Sequence, residues 1–205
     1  MKSPRPYRQA ARAEAAAETS RRIVEAFVEC TGDCWFDEIT LEDVARRAGV
    51  SVRSVIRLYG GKEGLIKAIV EQIAPGISAA RTVVPGNVAG AVAATFDLYE
   101  AHGDKVMRSL AQESRYPALA PLLDHGRKEH RRITEEIFAP WLTPLPKPER
   151  ANAVDALVVA TDIYVWKLLR RDMGRPVAQS KAAMTRLINA ILREYTGTSI
   201  KGTSR

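Results

Sequence analysis

No uninterrupted apolar run reaches the ~18 residues needed to cross a bilayer, so no membrane span is expected. The opening stretch, MKSPRPYRQAARAE, lacks the apolar core of a secretory leader. There are two cysteines in 205 residues, which excludes a disulfide scaffold and makes a reducing, cytoplasmic setting the expectation. Cys30 and Cys34 lack the further ligands that a structural zinc needs, and read as inert thiols. Histidine is scarce: His125 and His130, with Asp124 and Glu129, are the nearest thing to a metal cluster, and their spacing of five takes them off one helix face. No metal and no cofactor are expected. The chain has no glycine-rich phosphate loop, no nucleophile elbow and no H-E-x-x-H, so nothing in it specifies an enzyme. No apolar/polar alternation persists between turn signals, and no repeat of 20–50 residues is visible.

What is present is helical. Hydrophobic residues make up 46% and charged residues 27%, an ordinary globular balance. The net charge of +7 suits a polyanionic partner, but its placement must decide. The expected architecture is all-α, with a head at about 12–73 and a second helical domain at about 80–195. Residues 1–11 read as a flexible basic arm. An Ala-rich helix at about 12–31 carries an apolar stripe, Ile23, Val24, Phe27 and Val28, and Gly32 reads as its stop. Further helices are expected at about 62–73, 86–101, 104–115, 118–141, 148–172 and 177–195. Their separators are Ala74-Pro75-Gly76, His102-Gly103, Tyr116-Pro117, the proline-rich 143–148 and Gly174-Arg175-Pro176.

Residues 41–59, LEDVARRAGVSVRSVIRLY, carry the argument. Thr40 and Ser51 are caps for two short helices, and Ile39 and Val50 can staple onto Val44 and Val55. Ala45 is small enough for a steep helix crossing, and Gly49 suits a turn at positive φ. This is a helix-turn-helix. Val44, Ala48, Val50, Val55 and Leu58 are expected to point inward. Arg53, Ser54 and Arg57, with Val52 and Ile56, are then left on an outer face that fits a DNA major groove: arginine reads guanine or grips phosphate, and apolar groups meet thymine methyls. Ser51 at the helix start and Lys62 at the next are suited to phosphates.

Residues from about 21 to 70 resemble the DNA-binding region of tetracycline-repressor (TetR) family regulators. Thr40, Val44, Ala45, Ala48, Gly49, Val50, Ser51, Tyr59, Lys62, Glu63 and Leu65 occupy the positions that define the pattern. Many members have Gly then Thr where this chain has Arg53 and Ser54, and Tyr where it has Ile56, so base contacts do not transfer. The resemblance implies a homodimeric regulator, most often a repressor. It would bind double-stranded DNA at a palindromic operator and be released by a small-molecule effector. The DNA-contact set is expected to be Thr40, Ser51, Val52, Arg53, Ser54, Ile56, Arg57, Tyr59 and Lys62.

Beyond the head, the run 156–166 is apolar nearly all round, and Met184, Leu187, Ile188, Ile191 and Leu192 form a stripe. Two such helices per subunit suit a four-helix dimer interface. Phe96, Tyr99, Met107, Leu110, Trp141, Asp162, Tyr164 and Trp166 are candidates for an effector pocket, and Asp162, inside the apolar run, is expected to pair with an internal arginine. Rival readings are the same head without small-molecule input, an activator with this fold, and an all-α dimeric enzyme.

Overall fold

A computed structural model describes the backbone of residues 5–201 apart from Thr82, with side chains from Gln9 to Tyr195 except Ala80 and Thr82. Among the described residues ten α-helices follow one another: α1 Arg5–Asp33, α2 Leu41–Ala48, α3 Val52–Tyr59, α4 Lys62–Gln72, α5 Ala74–Ala80, α6 Val88–Gln112, α7 Ala120–Leu142, α8 Lys147–Ala160, α9 Ile163–Lys167 and α10 Val177–Lys201. A 3₁₀ turn, Pro117–Leu119, precedes α7, and a π turn, Leu168–Asp172, follows α9. There is no strand among the described residues, and the all-α fold is as expected. No described helix is long and apolar enough to cross a membrane.

The chain forms two compact units. One is built from residues up to Pro75 together with Arg108–Leu123, and the other from Gly76–Met107 with Asp124 onward. In the first, Ile23, Val24 and Phe27 of α1 are fully buried against Val44, Val55 and Leu65. Leu119 and Leu123 join that core, which is why a stretch assigned by sequence to the second domain packs with the head. Polar contacts hold it there: Gln112 accepts from the backbone N–H of Phe36 at 2.7 Å, and Arg108 donates to the carbonyl of Gly32.

Several expected breaks are not breaks. Residues from Arg5 onward are helical and extend α1, so the flexible arm is not found there; residues 1–4 lie outside the described residues. Gly32 lies inside α1, and the backbone N–H of Cys34 still bonds the carbonyl of Cys30 at 3.0 Å, so the register runs on. His102-Gly103 does not divide α6. Gly103 is there for space: a Cβ on it would fall 2.5 Å from the ring of Trp166, which is fully buried. Conversely, the expected helix 148–172 breaks at Thr161 and Asp162. Asp162 is extended (ψ 153°), and its carboxylate accepts from the N–H of Tyr164 at 2.9 Å, so it caps α9 and does not pair with an arginine. Thr-Asp is a sound capping signal, which the surrounding apolar run masks.

In the second unit Trp166 is the hub. It packs tilted against Tyr99 with centroids 6.0 Å apart, and its indole N–H donates to Glu100 at 2.7 Å. Arg170 grips the same carboxylate at 2.7 and 3.0 Å and holds it below the ordinary glutamate range. Arg171 lies over the indole ring, 4.5 Å from its centroid, and bonds Asp104. Gly103→Ala is expected to destabilise the fold by about 1–3 kcal/mol through overpacking, outweighing the ~1 kcal/mol of helix propensity that alanine adds. Chemical denaturation followed by circular dichroism checks this; a stabilised variant would contradict the packing argument.

Candidate nucleic-acid interface

The short helices of the head are made by their ends. Thr40 is extended, and its hydroxyl accepts from the N–H of Asp43 at 3.1 Å while donating to the Asp43 carboxylate at 2.6 Å. That second bond is the main reason the Asp43 carboxyl stays below the ordinary aspartate range. Glu42 and Asp43 in the first turn also complement the helix dipole. Gly49 closes α2 in the left-handed region (φ 65°), and the N–H of Val50 then returns to the carbonyl of Ala45 at 2.9 Å. A β-carbon is disfavoured at that φ, so the turn selects glycine.

The turn delivers Ser51, which repeats the device. Its hydroxyl accepts from the N–H of Ser54 at 3.2 Å and shares a hydrogen with the Ser54 hydroxyl at 2.9 Å. Each such cap contributes about 1 kcal/mol. Val55 is the sole fully buried side chain of α3. Val52, expected on the outer face, packs partly against the same core, as does Tyr59, and Ser54 is half-buried; Arg53 and Arg57 are exposed and Ile56 is 49% exposed. Leu58, expected inside, is 42% exposed. Val55, with Val52 and Tyr59 beside it, anchors the helix, and Leu58 falls outside that contact. Neither Arg53 nor Arg57 makes an ion pair with any described residue, and α3 contains no acid. Their charge is uncompensated and outward.

Two residues assigned to DNA are already engaged within the protein. The hydroxyl of Tyr59 donates to the Ser20 carbonyl at 3.0 Å and bonds the Ser20 hydroxyl at 2.6 Å, fastening the end of α3 to α1. The ammonium of Lys62 donates to the carbonyls of Phe36 and Ile39 at 2.7 and 3.0 Å and sits over the Phe36 ring. It closes the loop between α1 and α2. Sequence reasoning missed Ser20, which is one of many polar residues on a helix face. It also missed Gly64, where a Cβ would fall 1.8 Å from the carbonyl oxygen of Tyr59. A glycine inside α4, where nothing in the local pattern calls for one, was the available signal.

Residues 36–69 match the family of bacterial regulatory proteins, tetR family. That span holds both capped helices, the left-handed Gly49 and the exposed arginine face. The head is built on the DNA-binding pattern of the tetR family. The chain is a DNA-binding transcriptional regulator. Over 168 residues it is 25% identical to the HTH-type transcriptional regulator BetI 1 of Chromohalobacter salexigens, covering 79% of this chain and 70% of that protein. In fold it is similar to a transcriptional regulator from Rhodococcus sp. Rha1, with TM-score 0.66 and 18% identity over 85% of this chain and 96% of the other.

The effector candidates of the chain do not converge as a set. Phe96 and Trp166 are fully buried and Tyr99 nearly so, all in the second unit. Trp141 stacks tilted on Phe138 at 6.0 Å. Met107 is half-buried at the last residue of that unit's part of α6. Leu110 leaves the group, because it packs on the core of the head. Tyr164 leaves it too, being 57% exposed, and Asp162 is spent on its capping bond. Cys30 is buried, Cys34 is half-buried, and both are free thiols. No metal-binding cluster occurs among the described residues. His130 is instead buried among protein hydrogen bonds.

Arg53→Ala and Arg57→Ala are each expected to weaken operator binding by about 1–3 kcal/mol while leaving the thermal midpoint unchanged. Fluorescence anisotropy with operator and scrambled duplexes separates two outcomes. A loss confined to the operator marks base contacts, and an equal loss on both marks phosphate contacts. No loss on either removes that side chain from the interface.

Proposed function

We propose that the chain is a homodimeric repressor that reads an inverted-repeat operator with two copies of α3 and is released by a small-molecule effector. Residues 12–73 read DNA, and residues 80–195 dimerise and hold the effector. One observation carries the DNA-reading half: α3 is locked by Val55 and by caps at both ends while it presents Arg53, Ile56 and Arg57 outward. A rigid rod with a cationic and apolar face is what major-groove readout requires. Thr40, Ser51, Val52 and Ser54 border that face, and the N-termini of α2 and α3 offer backbone N–H groups to phosphate. In this reading Tyr59 and Lys62 act first as braces that aim α3.

Support for the dimer comes from the second unit. Leu157, Ala160, Ile163 and Trp166 are buried, whereas Val159 is 65% exposed, with Tyr164, Leu168 and Leu187 also open. The run that is apolar nearly all round therefore has one face in its own core and another left uncovered, and a second subunit would cover it. Both copies of α3 must then address one duplex, which places half-site centres about 34 Å apart or at a related spacing. The effector acts by preferring a conformer in which that spacing is lost.

Selection of bound fragments from random duplex DNA is expected to yield an inverted repeat with about one helical turn between half-site centres. A single unrepeated half-site, or no enrichment at low salt, would overturn the dimeric-repressor reading. Val159→Arg is expected to shift the protein from dimer to monomer in sedimentation and to weaken operator binding by at least about tenfold, with the helical content retained. An unchanged dimer would remove α8 from the interface.

A further inference from the structure

The second unit buries a cation that forms no ion pair among the described residues. Arg81 follows α5 and is 9% exposed. Its guanidinium makes one side-chain contact among the described residues, from Nη2 to Nδ1 of His130 on α7 at 3.0 Å, and it forms no ion pair. An arginine can only donate, so Nδ1 is the accepting nitrogen and the ring proton sits on Nε2. That N–H faces the Val158 carbonyl at 3.2 Å and the Thr161 hydroxyl at 3.3 Å. Burial, and then the charge of Arg81, keep His130 neutral at lower pH than an ordinary histidine. The histidine is a neutral acceptor and supplies no counter-charge.

Other elements close on the same point. The Tyr99 hydroxyl, on α6, donates to the Thr161 carbonyl at 3.2 Å. Thr161 stands at the break between α8 and α9. The acids near this cluster do not bond Arg81, although the charge of Asp162 acts on both His130 and Tyr99. Asp162 caps Tyr164, and Glu129 is held by Arg132 at 2.9 Å and Ser78 at 2.9 Å. A buried, unpaired cation is strongly disfavoured, and a fold keeps such a group where a partner arrives to complete it. Trp166, fully buried, packs against Tyr99 with ring centroids 6.0 Å apart and brings apolar surface to this end.

We propose that Arg81, His130, Tyr99 and Thr161 form the polar end of the effector site, and that the effector is a carboxylic acid with an apolar body. Its carboxylate takes the place of Nδ1 against Arg81, where the fork of the guanidinium matches it bidentately. The Tyr99 hydroxyl is the second donor in reach of that end. This inference rests on the effector-responsive reading above and adds the chemical class of the effector.

The test uses the full-length protein in thermal unfolding and in operator binding. The probes are sodium acetate, hexanoate, decanoate, benzoate and phenylacetate, each against its primary amide at the same concentration. At least one of the larger acids is expected to raise the midpoint by several degrees and to weaken operator binding by roughly tenfold or more, with its amide inert. Arg81→Met is expected to abolish that difference and to raise the midpoint of the effector-free protein, because it removes an uncompensated charge. Arg81→Lys retains part of the acid response. Acids and amides that act alike, no acid that acts at all, or an Arg81→Met protein with a lowered midpoint would each overturn the carboxylate assignment. The acid–amide comparison on the unaltered protein stands without any variant. Release of the operator by amides alone leaves the effector-responsive reading in place and removes the anion. Stabilisation by an acid with unchanged operator affinity keeps the site and removes its link to DNA.

Discussion

An eight-residue helix has too few internal hydrogen bonds to persist in water, so α3 exists because its surroundings hold it. Val55 is the one side chain it buries completely, a contribution of about 1.5–3 kcal/mol. Ser51 satisfies its first orphan donors, and Gly60 returns an N–H to the Ile56 carbonyl at 2.8 Å. Tyr59 ties its last residue to α1, and Gly64 lets α4 approach the Tyr59 carbonyl. Everything the helix offers DNA depends on this economy. Because Val55, with Val52 and Tyr59 packed partly beside it, and the two capped ends hold the helix, Arg53, Ile56 and Arg57 are free to face outward.

The distribution of arginines follows the same logic. Arg47 is bound to Asp33, Arg131 to Asp155 and Glu135, Arg132 to Glu129 and Glu136, and Arg171 to Asp104. Exposed pairs like these contribute little to stability, about 0–1 kcal/mol each, but they neutralise the field around them. Arg53 and Arg57 have no such partners among the described residues. The placement of the net positive charge, more than its size, is what gives α3 a face suited to a polyanion. Arg81 is the buried counterpart: it has no ion pair among the described residues and is largely shielded from water.

The second unit is organised by size exclusion around one indole. Trp166 fits because Gly103 has no side chain, and its N–H is satisfied by Glu100, which Arg170 holds. The break at Thr161 and Asp162 turns the chain so that Ile163 and Trp166 enter the core while Tyr164 does not. The carbonyl and hydroxyl exposed by that break are what Tyr99 and His130 bind. A local irregularity thus supplies both the packing and the polar cluster.

The helix-turn-helix was legible because its information is local. Caps, staples, the small residue at the crossing and the left-handed glycine all act within about four residues of one another, and α2 and α3 begin and end where Thr40, Gly49, Ser51 and Gly60 place them. By itself, then, the sequence determined the all-α class, the head and the outward arginine face. Tertiary structure decided what glycine and buried polar residues are for. Gly103 reads as a helix stop until an indole from 63 positions further along the chain is found against it. Asp162 reads as half of an ion pair until the helix breaks beside it, and Arg81 and His130 carry no common signal until α5 and α7 bring them within 3.0 Å. Those meanings depend on which side chains meet across long stretches of chain, and that is settled only when the core closes.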